Sequence, residues 1–327
     1  MGLDGRSVLT GRGTYMDLIL LFPGQGSQKP GMGKDLAEAF PAARAVFDAA
    51  DRTLGIPLSS LCFDGPDDQL TSTQNAQPAL LAHGAAAWAL IHERALQHVR
   101  AAAGHSLGEF TAYHAAGALS LADALRLVRT RGELMFKSGV ERPGAMAAIL
   151  GLTEDAVERV CATARAEGGV VVPANYNTPE QLVISGEVAA VERAMAVAKE
   201  AGAKRAIRLN VSGAFHSPFM EVAAAGLGRA LDAAAMRPPS FPVSSNVSAE
   251  PVRDATTAKT LLVRQLTSPV RWTALVQRLA ADHPGAVFVE LGPGTVLSNL
   301  VKRIVPGAQT LPCGTVADVE ALHQRLA

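Results

Sequence analysis

The sequence predicts an α/β protein built on a mostly parallel sheet, with a smaller inserted unit that has its own order of strands. Three observations lead to this fold class. Apolar runs alternate with helical stretches in the outer parts of the chain, which is typical of a parallel sheet covered on both faces. The middle part changes to four short strands and two helices. A glycine-flanked serine, in Gly104-His105-Ser106-Leu107-Gly108, directly follows an apolar strand.

The first part of the chain supplies the opening strands and helices of the main sheet. Residues 17–22 contain the apolar run Leu-Ile-Leu-Leu-Phe, and Pro23-Gly24-Gln25-Gly26 follows it, so a buried strand ending in a loop is predicted. A second strand is expected over 99–103, just before the glycine-flanked serine. Helical spacing is found over 35–55, 77–97, 109–118 and 120–135, the last with Ser120 as its cap.

Residues 143–211 are expected to form the inserted unit, with a hinge at Pro143-Gly144. The order β-α-β-β-α-β that it shows is typical of a ferredoxin-like subdomain. Its predicted strands are 145–150, 170–175, 181–185 and 205–211, and its predicted helices are 153–166 and 188–201.

The main domain is predicted to return after the insertion, so that it comprises residues 17–142 and 212–327. A helix over 221–236 and strands over 243–247 and 287–291 are expected there. Residues 1–16 lack an apolar signal core and are expected to be a disordered extension.

Composition narrows the class of protein. The chain has 327 residues, of which 48% are hydrophobic, so it can bury a large core. Its 30 basic and 30 acidic residues argue against broad binding to nucleic acid or to anionic membranes. Three cysteines far apart indicate reduced thiols. We expect a cytoplasmic monomer without nucleic-acid or membrane partners.

The Gly-x-Ser-x-Gly pattern between a strand and a helix predicts a nucleophile elbow, in which a tight turn exposes the serine hydroxyl. Gly104 and Gly108 lack Cβ atoms and allow the turn, and the N–H groups at the start of the next helix suit a developing oxyanion. The alternative is a glycine-flanked turn with an ordinary surface serine.

A serine nucleophile needs a base, and the chain has eight histidines. His105 adjoins the serine, but on a sharp turn its side chain is expected to point away. His216 lies at the end of a predicted strand and before Pro218, where active-site residues of parallel sheets collect. Spacing alone leaves open whether His216 is the base. Four further histidines lie in or beside helical stretches: His83, His92, His98 and His114.

Four stretches give the chain a specific resemblance. They are Phe22-Pro23-Gly24-Gln25-Gly26-Ser27-Gln28, Gly104-His105-Ser106-Leu107-Gly108-Glu109, Gly213-Ala214-Phe215-His216-Ser217-Pro218 and Arg264-Gln265-Leu266. In this order, over residues 18–303, they resemble the signatures of malonyl-CoA:acyl carrier protein transacylases, a family that includes the fatty-acid enzyme and polyketide synthase acyltransferases. The resemblance implies a hydrolase-like α/β domain with an inserted ferredoxin-like subdomain.

The resemblance also implies a role for each matching residue. Ser106 matches the nucleophile and His216 the general base, which a backbone carbonyl at Gln265 orients. The backbone N–H groups of Gln25 and Leu107 match the oxyanion hole. Arg131 matches the arginine that holds the malonyl carboxylate.

Two of the matches have a physical rationale. The planar guanidinium of Arg131 can hold a carboxylate with two charge-assisted hydrogen bonds, although Arg131 could instead be a surface arginine of its helix. Phe215 fills the space that an α-methyl group would need, which favours malonyl over methylmalonyl. Asn175 and Asn177 match a stretch that faces the cleft, and a turn stabilised by asparagines is the alternative.

The expected activity is therefore ping-pong transfer of malonyl from malonyl-CoA to the phosphopantetheine thiol of an acyl carrier protein, in fatty-acid or polyketide synthesis. Malonyl-CoA is a co-substrate, and no metal or bound cofactor is expected. Basic residues at 204–205, 208 and 302–303 are candidates for docking an acidic carrier protein. The alternatives are a serine esterase or thioesterase, an acyltransferase for another dicarboxylic acyl-CoA, and a silent scaffold.

Overall fold

The computed structural model describes residues 16–211 and 213–326. The predicted extension over 1–16 lies, apart from Met16, outside these residues. Strands within the described part are β1 (Leu18–Phe22), β2 (Val99–Gly104), β3 (Ala145–Leu150), β4 (Val171–Thr178), β5 (Gln181–Gly186), β6 (Arg205–Arg208), β7 (Val243–Ser244), β8 (Pro251–Val252), β9 (Val287–Glu290) and β10 (Thr310–Pro312).

Helices surround these strands. The first seven are α1 (Lys34–Ala39), α2 (Pro41–Leu54), α3 (Leu58–Asp64), α4 (Asp67–Thr71), α5 (Thr73–Ala95), α6 (Gly108–Ala115) and α7 (Leu121–Glu141). The remaining ones are α8 (Glu154–Ala166), α9 (Val188–Glu200), α10 (Glu221–Ala233), α11 (Ala255–Arg264), α12 (Trp272–Asp282), α13 (Val296–Ile304) and α14 (Val316–Arg325).

The main sheet has the order β10-β9-β1-β2-β7-β8 and is parallel except for the β7–β8 pair. All five residues of β1 are buried, and they alternate between two cores. Leu18, Leu20 and Phe22 join a core that includes α5 and α7, whereas Ile19 and Leu21 join a core that includes α12 and α13. Because β1 and β2 are central, the loops after both strands meet at one edge of the sheet.

The second sheet has the order β4-β5-β3-β6, and every neighbouring pair is antiparallel. Helices α8 and α9 pack on it and share a core of its own. This separate sheet confirms the predicted fold class, and its strand order is that of a ferredoxin-like unit. Backbone hydrogen bonds join Val270 to Ala174 (2.8 Å) and to Tyr176 (2.9 Å), so β4 also contacts the main part of the chain.

Several element boundaries differ from the predictions. The stretch 35–55 is two helices, because Pro41 lacks an N–H and begins a new helix after Phe40. Helix α7 continues six residues beyond Met135, to Glu141. Strand β4 reaches Thr178, three residues beyond its predicted end at 175, and register shifts along β4 accommodate the extra residues. The strands β6 and β7 are shorter than predicted.

Within residues 16–211 and 213–326, none of the helices combines the length and the apolar character that crossing a membrane requires.

Candidate active site

Ser106 lies in the tight turn between β2 and α6, and its backbone has φ 52°, in the left-handed region that non-glycine residues rarely adopt. The two flanking glycines make the turn possible. A Cβ atom on Gly104 would lie 1.8 Å from the Gly108 carbonyl carbon, and one on Gly108 would lie 2.1 Å from the Phe22 carbonyl oxygen. This geometry is that of a nucleophile elbow, with the Ser106 hydroxyl facing a pocket.

His216 is in hydrogen-bond contact with the Ser106 hydroxyl. Its Nε2 atom is 2.8 Å from Ser106 Oγ, and its Nδ1 atom is 2.9 Å from the backbone oxygen of Gln265. A carbonyl oxygen only accepts, so Nδ1 carries the proton and Nε2 is free to accept from the serine. The residues therefore form a Ser–His pair that is oriented by a backbone carbonyl.

The imidazole of His216 is poised to act as a neutral base. Burial lowers its pKa to about 3, and the positive charge of Arg131 acts in the same direction, whereas the hydrogen bond to Gln265 opposes both. A lowered pKa keeps the imidazole unprotonated at neutral pH, which a general base requires.

Arg131 projects from α7 into the same site and is 1% exposed. Its NH2 nitrogen donates to Ser106 Oγ (3.0 Å) and to the side-chain oxygen of Gln265 (3.0 Å), and NH1 donates to Gln77 Oε1 (2.8 Å). All of these acceptors are neutral. No carboxylate oxygen in the described chain lies within 4.0 Å of the guanidinium, and its Nε is buried without a partner.

A buried guanidinium without an anionic partner is unusual, because desolvation of the charge is compensated only by neutral hydrogen bonds. Burial lowers the pKa of Arg131 to about 10, and the nearby Glu109 partly offsets this. Arg131 therefore keeps its charge at neutral pH and is prepared to receive a carboxylate beside the nucleophile.

The remaining predicted residues line the same pocket: Gln25, Leu107 and Phe215. The backbone N–H groups of Gln25 and Leu107 donate no hydrogen bond within the described residues. Two free N–H groups beside a serine hydroxyl are the arrangement that an oxyanion hole needs. The Phe215 side chain is buried next to His216.

The asparagines of β4 also contribute to the pocket wall. Asn175 lines it, while Asn177 Oδ1 is 2.8 Å from His105 Nε2. His105 thus bonds to the second sheet rather than to Ser106, as expected for a structural histidine. Both asparagines belong to a strand and not to the turn that was considered for them.

Four groups that complete the site have no role predicted from the sequence: Gln77, Glu109, Asn246 and the side chain of Gln265. Glu109 directly follows the Gly-x-Ser-x-Gly pattern. Its carboxyl group is fully buried, and burial raises its pKa to about 7. Asn246 follows the two-residue strand β7, which carries no strong pattern. Among the described residues, no three His, Cys, Asp or Glu side chains could together hold a metal ion.

Known proteins are similar to this chain over most of its length. Residues 19–319 match the family model described as "Acyl transferase domain". The malonyl CoA-acyl carrier protein transacylase of Bacillus subtilis is 46% identical over 309 residues, which cover 94% of this chain and 97% of that protein.

Solved structures resemble the fold over nearly the whole chain. The acyl-carrier-protein-S-malonyltransferase of Bartonella henselae has a TM-score of 0.91 and 42% identity, covering 95% of this chain and 99% of that one. A malonyl-transacylase solved in complex with a type II PKS acyl-carrier protein has a TM-score of 0.90 and 40% identity, covering 94% and 99% of the two chains.

Proposed function

This chain belongs to the acyl transferase family, and we propose that it transfers a malonyl group from malonyl-CoA to the phosphopantetheine thiol of an acyl carrier protein through an ester on Ser106. The relatives named for this reaction support the substrate and the acceptor. The observation that carries the proposal is a buried guanidinium, without a carboxylate partner, 3.0 Å from the nucleophile of a Ser–His pair.

In the first half-reaction, Ser106 Oγ attacks the thioester carbonyl carbon while His216 Nε2 takes the hydroxyl proton. The carbonyl oxygen becomes an oxyanion that the free N–H groups of Gln25 and Leu107 are placed to stabilise. When the C–S bond breaks, His216 returns the proton to the CoA sulfur. A carrier-protein thiol then reverses these steps, since His216 deprotonates it for attack on the ester.

Arg131 supplies selection for a dicarboxylic acyl group. A bound malonyl carboxylate would give the guanidinium the anionic partner that the free protein lacks, and a neutral acyl group would leave it unpaired. The Arg131 hydrogen bond to Ser106 Oγ must be exchanged for one to the substrate carboxylate, which frees the hydroxyl for attack. We propose that the Phe215 ring, which is buried and lines the same pocket, fills the space that an α-methyl substituent would need and so favours malonyl.

The carrier protein is proposed to dock along a basic groove between the two parts of the fold. Lys204, directly before β6, and Arg303 of α13 line this groove together with residues around the β4–β5 turn, among them Glu180, which is 3.5 Å from Lys204 Nζ. Thr178, at its edge, is three residues along β4 from Asn175, which lines the active-site pocket. Three strand residues span roughly 10 Å, so an acidic partner bound there would lie close to the nucleophile.

The reaction as proposed uses no metal or bound cofactor, because nucleophile, base and oxyanion donors all come from the chain. The three cysteines are buried, and each carries a free thiol. Reduced thiols and CoA thioesters both suit the cytoplasm, which we propose as the compartment.

Intact-mass spectrometry after mixing with malonyl-CoA tests the proposal. The wild-type protein should gain one malonyl group and lose it to a carrier-protein thiol, whereas Ser106→Ala should gain none while staying folded. An adduct on Ser106→Ala would identify another nucleophile. Release of free malonate without transfer to the thiol would show a hydrolase.

A further inference from the structure

A buried polar network lies beneath the nucleophile elbow, and Asn246 is at its centre. Asn246 follows β7 and is 0% exposed. In sequence it is 140 residues from Ser106, so only the parallel pairing of β7 with β2 brings the two together.

The side chain of Asn246 binds both sides of the turn that holds Ser106. Its Oδ1 accepts a hydrogen bond from the Ser106 backbone N–H at 2.7 Å, and its Nδ2 donates to the Gly104 carbonyl oxygen at 2.7 Å. An asparagine side chain is the shortest one that offers an acceptor and a donor side by side. The two bonds connect the end of β2 to the residue with left-handed backbone geometry.

Asn246 is itself held from two directions. Its backbone N–H donates to Glu109 Oε2 (3.1 Å), and its carbonyl accepts from the Arg271 N–H (2.9 Å). The same Glu109 oxygen accepts from Gln265 Nε2 (2.7 Å). Since the Gln265 carbonyl orients His216, Glu109 connects the support of the nucleophile to the support of the base.

We propose that Asn246 is a positioning residue that holds Ser106 in its strained conformation, and that Glu109 anchors it. The inference rests on the proposed function and concerns how the nucleophile is kept in place. A non-glycine residue in the left-handed region is strained and persists only where its surroundings enforce that conformation. Without the two side-chain bonds, the turn can relax, and Ser106 Oγ moves away from His216 Nε2 and from the oxyanion donors.

The test measures the pre-steady-state rate of Ser106 acylation by malonyl-CoA. Asn246→Ala removes both bonds, together with a longer one that Asn246 Oδ1 accepts from Gln265 Nε2 (3.4 Å). It should lower the acylation rate about 100-fold, the effect of a misplacement of roughly 1 Å. The KM for malonyl-CoA should change less than about threefold, because Arg131 is untouched. Ser245→Ala is the matched control: it removes a buried hydroxyl from the same segment, one that only accepts the Val247 N–H, and should acylate at the wild-type rate.

Asn246→Asp keeps the size and the acceptor but replaces the donor, so a carboxylate oxygen faces the Gly104 carbonyl. Protonation of the new carboxyl, favoured by Glu109 close by, restores a donor at that position. The acylation rate of Asn246→Asp relative to wild type should therefore rise at least about tenfold as the pH is lowered from about 8 to 5. The rates are compared at a temperature where circular dichroism shows Asn246→Asp fully folded across this pH range, and under that condition a residue that only stabilised the fold would show no such rescue.

The outcomes separate this inference from the proposed function. If wild type forms no acyl-enzyme, the proposed function fails. If wild type is acylated and Asn246→Ala matches it, or if Asn246→Asp loses activity with no recovery in acid, the positioning role is wrong. If Asn246→Ala does not fold, the recovery of the Asn246→Asp acylation rate in acid is the test of the positioning role. The thermal unfolding of Asn246→Asp must then match that of Ser245→Ala.

Discussion

The buried guanidinium of the Arg131 side chain donates hydrogen bonds to three acceptors, all of them neutral. Arg131→Ala should lower kcat/KM for malonyl-CoA by roughly 30-fold to several thousand-fold, since loss of a charge-assisted contact costs about 2–5 kcal/mol. The value for acetyl-CoA should change little. Arg131→Lys keeps the charge without the planar fork and should recover only part of the malonyl rate.

The quantity to measure is the ratio of malonyl to acetyl kcat/KM. Arg126→Ala is the control on the same helix, because Arg126 has a 61% exposed side chain and a long contact with Asp123. An unchanged ratio in Arg131→Ala would contradict the assignment of Arg131 as the carboxylate anchor.

His216 gives a prediction for pH dependence. Its pKa of about 3 in the folded protein, against 6.5 ordinarily, means that the base stays neutral as pH falls through 6.5. The rate constant kcat/KM for acylation should therefore stay flat through that range and fall only at more acidic pH. A bound carboxylate neutralises Arg131, one cause of the shift, so the acid limb of kcat should lie at higher pH than that of kcat/KM.

Acylation rates between about pH 4 and pH 8, with circular dichroism as a check of folding, test this. An acid limb of kcat/KM at pH 6–7 would contradict this prediction.

The lowered pKa of His216 also affects the free energy of unfolding. As the pH falls, His216 takes up its proton in the unfolded chain before it does so in the folded protein. Its contribution to stability is therefore present above pH 6.5 and is lost as the pH falls toward 3. Glu109, with a raised pKa, contributes stability that is lost as pH rises from 4.5 to about 7.

At the scale of elements, the elbow depends on how closely α6 approaches β1. Gly108→Ala places a Cβ atom 2.1 Å from a backbone oxygen that cannot move aside, and should destabilise the protein by on the order of 3 kcal/mol or more. Gly228→Ala in α10 is the control, because its new Cβ meets only Val263 side-chain carbons at 3.6 Å and beyond. It should stabilise the protein by roughly 0.5–1 kcal/mol.

Urea unfolding of both variants measures the free energy of unfolding directly. Equal stability of Gly108→Ala and wild type would mean that α6 can shift away from β1, and the elbow would then be less constrained than its geometry indicates.

At the scale of the whole molecule, the groove lined by Lys204 and Arg303 joins the two parts of the fold. Both side chains make exposed contacts, Lys204 with Glu180 and Arg303 with Gln181, so charge reversal should cost little stability. The pair Lys204→Glu and Arg303→Glu should lower the rate constant for transfer to an acidic carrier protein about 10- to 100-fold at low salt, and less at high salt.

Single-turnover transfer from the acyl-enzyme, measured against carrier-protein concentration and salt, tests the groove. Arg325→Glu, on α14, is the control for Lys204→Glu and for Arg303→Glu made one at a time, because each of the three exchanges one positive charge for one negative charge. If Arg325→Glu slows the transfer as much as either groove variant, only the net charge matters and the groove is not the docking site.

Elements with strong local patterns, and residues within motifs, could be predicted from the sequence. The apolar run of β1, the glycines around Ser106 and the succession β-α-β-β-α-β along the inserted unit follow from side-chain period and backbone sterics, which act between near neighbours. The family resemblance then assigned roles to Ser106, His216, Arg131 and Gln265, and the structure brings these four residues together.

Which groups share the site, and which partners each of them has, depends on contacts that form only in the folded protein. The short elements α3, α4, β8 and β10 were not predicted because they have too few residues to show a period. The longer helices α11, α12, α13 and α14 were not predicted either. That Arg131 donates to neutral acceptors, that Asn246 holds the elbow and that Glu109 connects Asn246 to Gln265 depend on contacts across 25 to 156 residues of chain. Such contacts arise from the order and register of strands, and from burial that removes competing water, and neither is encoded in any short stretch of sequence.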